Sequence, residues 1–386
     1  MAPYDQVDEF TAALGGRTVR FISKPGLANW DRVSPASMLL ADAISLAGGE
    51  RALLLGCGHG ALGCALARQA REVDLLDASA IALRMAELTI RANAVTNARA
   101  RASISVLPEL AEAFDIVAIE APGDRGLTRR WLAETGEALK PGGALYLAGA
   151  NDHGARSAIA DAAALFGGAE VLGYRQGSRV ALSRKSAGVP APAWASEGGI
   201  APGSWHEFAA QARGHTFRLR SLPGVFAGGR LDEGTALLLE ALDVPAGARV
   251  LDLGCGYGII GLLAARLGAA GVDMVDVNLL AVASAVENIA LDGCAAARAF
   301  PSDGVPAEAI ERYDVVATNP PFHVGKATDY GVTRGFIEGA RRALGPGGQL
   351  YLVANRFLKY NQWLRAAFER VACVAETRSY RVWRAT

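Results

Sequence analysis

The amino-acid sequence contains the same pattern twice. LLLGCGHGALGCALAR at 53–68 returns as LDLGCGYGIIGLLAAR at 251–266, and VDLLDASAIALRMAELTI at 73–90 returns as VDMVDVNLLAVASAVENI at 272–289. FDIVAIEAPG (114–123) is matched by YDVVATNPPF (313–322), and ALKPGGALYLAGAN (138–151) by ALGPGGQLYLVAN (343–355). The segments leading into each copy also correspond, SKPGLANWDRVSPASMLL (23–40) with SLPGVFAGGRLDEGTALL (221–238). The offset stays near about 200 residues, whereas solenoid repeats run to roughly 20–50. An offset that long means two copies of one domain, and 386 residues is enough chain for two proper cores.

Within each copy, short apolar runs alternate with alanine-rich helical stretches. Residues 52–55, 73–76, 116–119 and 144–147 read as buried strands, and 62–69 and 81–91 as helices between them. This alternation predicts an α/β fold with a mainly parallel sheet covered on both faces. Each copy closes on two runs split by turn residues, AEVLGYRQGSRVALS (169–183) and VACVAETRSYRVWRA (371–385), which predict a terminal antiparallel hairpin. Between the copies, SRKSAGVPAPAWASEGGIAPGSW (183–205) is rich in Pro, Gly, Ala and Ser and shows no periodicity, so it reads as linker. The expected division is a first domain at 1–186, a linker at 187–203 and a second domain at 204–386.

In the second copy GCGYGIIG carries Gly256-x-Gly258-x-x-Gly261 between a predicted strand and a predicted helix, formally the dinucleotide fingerprint. The glycines alone do not choose among nucleotide cofactors, because each of these needs close backbone approach. Three carboxylates favour S-adenosylmethionine. Asp252 stands two residues before the first glycine, Gly254, where a carboxylate would meet an ammonium and repel a pyrophosphate. Asp276 ends the second strand and can accept both ribose hydroxyls, a role that NAD sites share. Asp303, in FPSDGV after the third strand, is placed to accept from an adenine amino group. The competing reading of Asp276 and Asp303 is an ordinary strand-end turn or helix cap, and the cofactor reading is preferred for both. The first copy keeps Gly56, Gly58, Gly60, Gly63 and Asp77 but has Leu54 in place of Asp252. Leucine cannot hold an ammonium, so weak or absent cofactor binding is expected there.

The fourth strand of the second copy ends in Asn319-Pro320-Pro321-Phe322, where the first copy has Glu120-Ala121-Pro122-Gly123. Prolines cannot donate to a sheet ladder, so the strand stops there. A conjugated exocyclic amine is a poor nucleophile until acceptors hold its N–H bonds and the nitrogen pyramidalises. The Asn319 side-chain oxygen and the Pro320 carbonyl are two such acceptors, fixed in advance by the proline rings. Phe322 can stack on the flat group that carries the amine. His323 reads as a cleft wall, since the methylated amine sheds its proton without a dedicated base. In isolation the same four residues would pass for a surface turn.

TNPPFHVGKATD (318–329), taken with VANRFLKY (353–360), PGVFAGGRLDEGTALLL (223–239) and a degenerate first copy, resembles the ribosomal RNA guanine-N2 methyltransferases. The resemblance is closest to those that modify a guanosine in 16S rRNA, and it covers nearly the whole chain. It implies two tandem Rossmann-like class I methyltransferase domains, each a mainly parallel seven-stranded sheet with a terminal antiparallel hairpin. It implies a catalytic second domain and an inactive first one that helps folding and RNA docking. Carried over by motif, Asp252, Gly254, Gly256, Gly258, Asp276 and Asp303 would hold S-adenosylmethionine, with Asn319 bordering it. Asn319, Pro320 and Phe322 would hold the guanine. The product would be S-adenosylhomocysteine, and no metal is required. The implied partner is 16S rRNA in the small ribosomal subunit, and one chain, already a pseudo-dimer, is expected to be a monomer.

Composition adds bounds. Acidic and basic residues number 39 each, so no global field marks a polyanion partner, although a local patch suffices. Lys326, Arg334, Arg356 and Lys359 surround the proposed cleft in sequence and could meet phosphates. Arg365, Arg370, Arg378, Arg381 and Arg384 make the C-terminal end basic; all of these could equally be solvated side chains. The five cysteines and five histidines show no ligand spacing, so neither zinc nor disulfides are expected. Without a signal layout or a long uncharged apolar run, the expected location is the cytoplasm, with no membrane partner. Other readings are the same chemistry on 23S rRNA, protein glutamine-N5 methylation, adenine-N6 methylation, and a non-enzymatic nucleotide-binding scaffold. An NAD-dependent oxidoreductase gives no role to Asn319 or Phe322.

Overall fold

The apolar runs form the parallel centres of two sheets. The computed structural model describes residues 4–105, 109–321 and 330–386. Two compact units result, Ala2–Trp205 and His206–Thr386.

The first unit opens with the antiparallel pair β1 (Asp8–Leu14) and β2 (Arg17–Ser23). It continues through α1 (Pro35–Ala43), β3 (Arg51–Leu55), α2 (Ala61–Ala67), β4 (Glu72–Leu76), α3 (Ala80–Ala92) and β5 (Ala98–Arg101). Then come β6 (Phe114–Glu120), α4 (Arg125–Ala138), β7 (Leu139–Ala150), α5 (Ala155–Phe166), β8 (Glu170–Arg175) and β9 (Ser178–Arg184). The sheet order is β5-β4-β3-β6-β7-β9-β8. The first five strands run parallel, and β9 and β8 form the antiparallel end.

The second unit repeats this element for element. It opens with β10 (His206–Ala212) and β11 (His215–Ser221), then α6 (Glu233–Ala241), β12 (Arg249–Leu253), α7 (Ile259–Arg266), β13 (Gly271–Asp276) and α8 (Leu279–Asp292). Next are β14 (Ala297–Pro301), β15 (Tyr313–Thr318), α9 (Tyr330–Ala343) and β16 (Leu344–Asn355). The unit ends with α10 (Asn361–Ala367), β17 (Val371–Glu376) and β18 (Tyr380–Ala385). Its order, β14-β13-β12-β15-β16-β18-β17, is that of the first sheet. Seven strands, mainly parallel with an antiparallel end, are the expected architecture. The central strands are buried on both faces, as Val250, Leu251, Val315 and Val316 show.

The opening hairpins are additions to the sequence reading. Their turns use positive φ at both central residues, Gly15 and Gly16 in one and Arg213 and Gly214 in the other, the conformation that two-residue hairpin loops favour. Each hairpin is tied to the helix that follows the second sheet strand. Asn288 of α8 accepts from Arg220 N (2.7 Å) and donates to Arg220 O (2.8 Å) and Tyr257 O (2.9 Å). In the first unit Thr89 of α3 and its C-cap Asn93 do this work, bonding the backbones of Ile22 and Arg20. The stretch read as linker packs on the first unit. Trp194 and Ile200 are buried, Arg129 lies 5.1 Å over the Trp194 ring, and Arg130 Nη1 donates to Gly199 O at 2.9 Å. Among the described residues no helix is long and apolar enough to cross a membrane.

Gly258 caps α7 with φ 89°, a conformation that side chains avoid. A Cβ there would also lie 3.0 Å from Met274 Sδ and 3.2 Å from Ala285 Cβ. Gly258→Ala should therefore lower the unfolding free energy by about 1–3 kcal/mol, read as a shifted urea midpoint. Gly271→Ala, with nothing within 4 Å of its Cβ, should stay within about 0.5 kcal/mol.

Candidate active site

The predicted residues gather where the order of the second sheet reverses. From β12 the chain moves outward to β13 and β14, then returns to the other side of β12 as β15. The crevice at the carboxyl ends of such strands is where open α/β sheets bind ligands. Thr318 Oγ1 donates to Leu253 O at 2.7 Å, which fastens the ends of β15 and β12 together.

The glycine loop leaves β12 and is pinned to β13. Gly254 N and Cys255 N both donate to Val275 O, at 2.8 and 2.9 Å. Gly256 has φ 56°, and among the described residues no atom lies within 4 Å of where its Cβ would be, which leaves room for a ligand at its backbone. Asp276, at the end of β13, accepts from Gly256 N (2.9 Å) through Oδ2 and from Asn278 N (2.9 Å) through Oδ1. Each carboxylate oxygen keeps a further lone pair for a ligand hydroxyl. Burial raises its pKa above the ordinary carboxylate value.

Asp252 is fully buried on β12. Its Oδ2 accepts from Gly261 N at 2.9 Å, the first turn of α7, while Oδ1 is buried without a hydrogen-bond partner among the described residues. Burial, reinforced by the charge of Asp276, pushes its pKa up to about 7 despite the bond from Gly261. An orphaned acceptor in this position is what a cationic ligand group would relieve. Asp303 lies half-buried in the loop after β14. That loop is tied to the β13 end by Ser302 N, which donates to Asp276 O at 3.0 Å. The Phe336 ring of α9 is the nearest group to Cβ positions built on Gly254 (3.4 Å) and Gly304 (3.8 Å). It is an apolar wall that the sequence reading missed.

Asn319 follows β15 directly. Its Nδ2 donates to Asp232 Oδ2 at 3.2 Å and to Thr235 Oγ1 at 2.9 Å. Both amide N–H bonds are thus spent on the first turn of α6, and Oδ1 is left as an acceptor. Asp232 is the N-cap of that helix and accepts from Thr235 N at 2.9 Å. Asn319 and Pro320 line a small cavity with Phe226, Asp232, Asn355, Leu358, Tyr360 and Tyr380. Phe322, His323 and Lys326 fall outside the described residues. Phe226, Asp232, Thr235 and Tyr380 went unassigned in the sequence.

The flanking cations separate on inspection. Arg334 is paired with Glu338 one helical turn away, at 2.8 Å. Arg356 and Lys359 are exposed around the exposed Phe357, next to cavity residues Asn355, Leu358 and Tyr360. Arg381 is paired with Glu376. Among the described residues no group of three or more His, Cys, Asp or Glu is arranged to hold a metal.

The first unit shows the same places refilled. Asp77 keeps its bonds from Gly58 N (3.0 Å) and Ser79 N (2.9 Å). Leu54 is buried where Asp252 stands. Glu120 replaces Asn319, and its two oxygens accept from the hydroxyls of Ser34 (2.6 Å) and Ser37. These serines occupy the places of Asp232 and Thr235. The donors and acceptors have exchanged sides, and each oxygen of the carboxylate accepts from a serine hydroxyl of the same unit.

The chain matches the methyltransferase small domain family twice, over residues 18–181 and 216–384. The ribosomal RNA small subunit methyltransferase C of Hahella chejuensis is 44% identical over 177 residues, covering 46% of this chain and 51% of that protein. The chain thus spans about half the length of that relative. The protein of the same description from Chromohalobacter salexigens is 37% identical over 277 residues, 68% of this chain and 76% of that one. Among solved structures, a T. thermophilus 16S rRNA N2 methyltransferase in complex with AdoMet and guanosine is similar at a TM-score of 0.81. It is 32% identical, over 99% of this chain and 98% of that chain.

The Asp252 geometry has a pH consequence. Its carboxyl titrates at about 7 when folded and near about 4 when unfolded. The folded state therefore keeps a proton that the unfolded state releases between these values. The resulting stabilisation is complete below about pH 4 and lost as pH rises through about 7. Asp252→Asn stays neutral throughout. Its melting temperature relative to the parent protein should rise between about pH 5 and about pH 8, by an amount on the order of a few kcal/mol in stability. A pH-independent difference would count against the proton.

Proposed function

We propose, for a chain that belongs to the methyltransferase small domain family and within it to the ribosomal RNA small subunit methyltransferase C proteins, that the second unit methylates the exocyclic N2 of a guanosine in 16S rRNA. The methyl donor is S-adenosylmethionine. When bound, it supplies an electrophilic methyl group on a positively charged sulfonium. Asp252, Gly254, Gly256, Gly258, Asp276 and Asp303 are the residues that hold it. The orphaned Asp252 Oδ1 and the open backbone of Gly256 support this fit, one by its need for a cation and the other by its room for close approach.

The observation that carries the chemistry is the anchored amide of Asn319. Because Nδ2 is bound to Asp232 and Thr235, Oδ1 meets an incoming amine as an acceptor with no flip to make. The Pro320 carbonyl takes the second N–H bond. Holding both localises the nitrogen lone pair for in-line attack, and an acceptor set before the substrate arrives avoids reorganisation in the transition state. Phe322 keeps the stacking role that the sequence assigns it, and Phe226, 62% exposed at the cavity edge, offers a second ring. The methylated amine releases its proton to solvent, so no side chain serves as a dedicated base.

A guanine must leave its stack to bring its amino edge to this small cavity. Arg356 and Lys359, exposed at its rim, meet backbone phosphates, and Phe357 gives a displaced base a face to rest on. The first domain, 1–186, together with the 187–203 stretch, serves folding and RNA docking without catalysis. The chain works as a monomer on small-subunit RNA in the cytoplasm.

Asn319→Ala should reduce methyl transfer to small-subunit RNA by about 100-fold or more, the scale seen when one preorganised polar group is lost from a transition state. Cofactor affinity by calorimetry should stay within about threefold, less than one ordinary hydrogen bond. Normal turnover would remove the amine-acceptor role from Asn319.

A further inference from the structure

The cavity beside Asn319 contains a second acceptor that the chemistry above leaves idle. Asp232 lines it together with Asn319, Phe226, Pro320, Tyr360 and Tyr380. The three hydrogen bonds that reach its carboxylate, from Thr235 N, Thr235 Oγ1 and Asn319 Nδ2, all end on Oδ2. Among the described residues Oδ1 accepts none. Capping α6 needs one oxygen and no charge, as Ser34 demonstrates by capping α1 in the first unit through its hydroxyl. The second oxygen of Asp232 and its negative charge exceed what the helix requires.

We infer that Asp232 is a specificity-determining residue that reads guanine through its N1–H, next to the amine held by Asn319. The inference rests on the guanosine reading above and deepens it. Guanine presents N1–H and its 2-amino group as neighbouring donors on one edge, whereas adenine presents a lone pair at N1. An ionised carboxylate is acceptor-only, so it binds the first and repels the second. Asn319 and Asp232 are bonded to each other through Nδ2 and Oδ2 and line the same cavity, and the Oδ1 of each side chain can accept from a ligand. A flipped base is read on this edge. The first unit keeps no such pair, since Glu120 stands in place of the amide and the hydroxyl of Ser34 in place of the Asp232 carboxylate.

Three nucleosides separate the roles: guanosine has both donors, inosine keeps only N1–H, and 2-aminopurine riboside keeps only the 2-amino group. Their binding is measured by calorimetry on the full chain with S-adenosylhomocysteine present, for the parent protein, Asp232→Asn and Asp232→Ser. The serine variant preserves the helix cap, and melting curves verify folding. Asp232→Asn and Asp232→Ser should each weaken guanosine and inosine by about 10- to 100-fold, the scale of a hydrogen bond to a charged group. Binding of 2-aminopurine riboside, whose N1 is a lone pair that the carboxylate repels, should not weaken in either variant and should tighten once the charge is gone. Equal weakening of guanosine and 2-aminopurine riboside would reduce Asp232 to a support for Asn319 and overturn the inference. Unchanged preference in both variants would overturn it too. A parent protein that binds guanosine yet shows either result leaves the methyltransferase reading standing. A parent protein that binds none of the three and methylates no RNA removes that reading and the inference together.

Discussion

The side-chain amide of Asn319 gives both of its N–H bonds to the first turn of α6, one to Asp232 and one to Thr235. An amide has a donor end and an acceptor end, and fixing one decides what the other presents. Here the acceptor is presented, at the carboxyl edge of the sheet and beside the glycine loop. The prolines that follow stop β15 at this point and hold the turn. The thread from β15 to α6 joins residues more than eighty positions apart, so the site depends on the tertiary fold rather than on the turn alone.

The first unit is the internal control. It has the same strand order, glycine loop and Asp77 bonds, yet the equivalent position holds a carboxylate satisfied by two serine hydroxyls. Half-burying a carboxylate in this way is tolerable because each of its oxygens accepts a hydrogen bond. It also removes the anchored amide that presents an acceptor in the second unit. Leu54 removes the buried carboxylate from the other side of the loop. Each change fits its own surroundings, whereas in the second unit, among the described residues, one oxygen of Asp252 and one of Asp232 accept no hydrogen bond.

Much of this was legible in the sequence because its signals are local or repeated. Strand and helix alternation, the positive-φ glycines and the terminal hairpins obey short-range rules, and the second copy checks the reading of the first. The opening hairpins escaped because DEFTAAL and HEFAAQA carry few β-branched residues; only the Gly15-Gly16 and Arg213-Gly214 turns announce them. The partners of Asn319 escaped for another reason. Asp232 and Thr235 have a sufficient local explanation as a helix cap, so nothing nearby in sequence asks for a second role. Phe336 likewise reads as one more apolar residue on α9 until the fold sets it against Gly254 and Gly304.

The central claim is that this chain places a methyl group on an exocyclic guanine amine in small-subunit RNA. The direct measurement supplies the full chain with methyl-labelled S-adenosylmethionine and offers it small subunits, large subunits and naked rRNA from cells lacking the gene. The RNA is then digested to nucleosides and the label located. The predicted result is label in N2-methylguanosine at a position of 16S rRNA. Label in protein, in large-subunit RNA or on another base would contradict it.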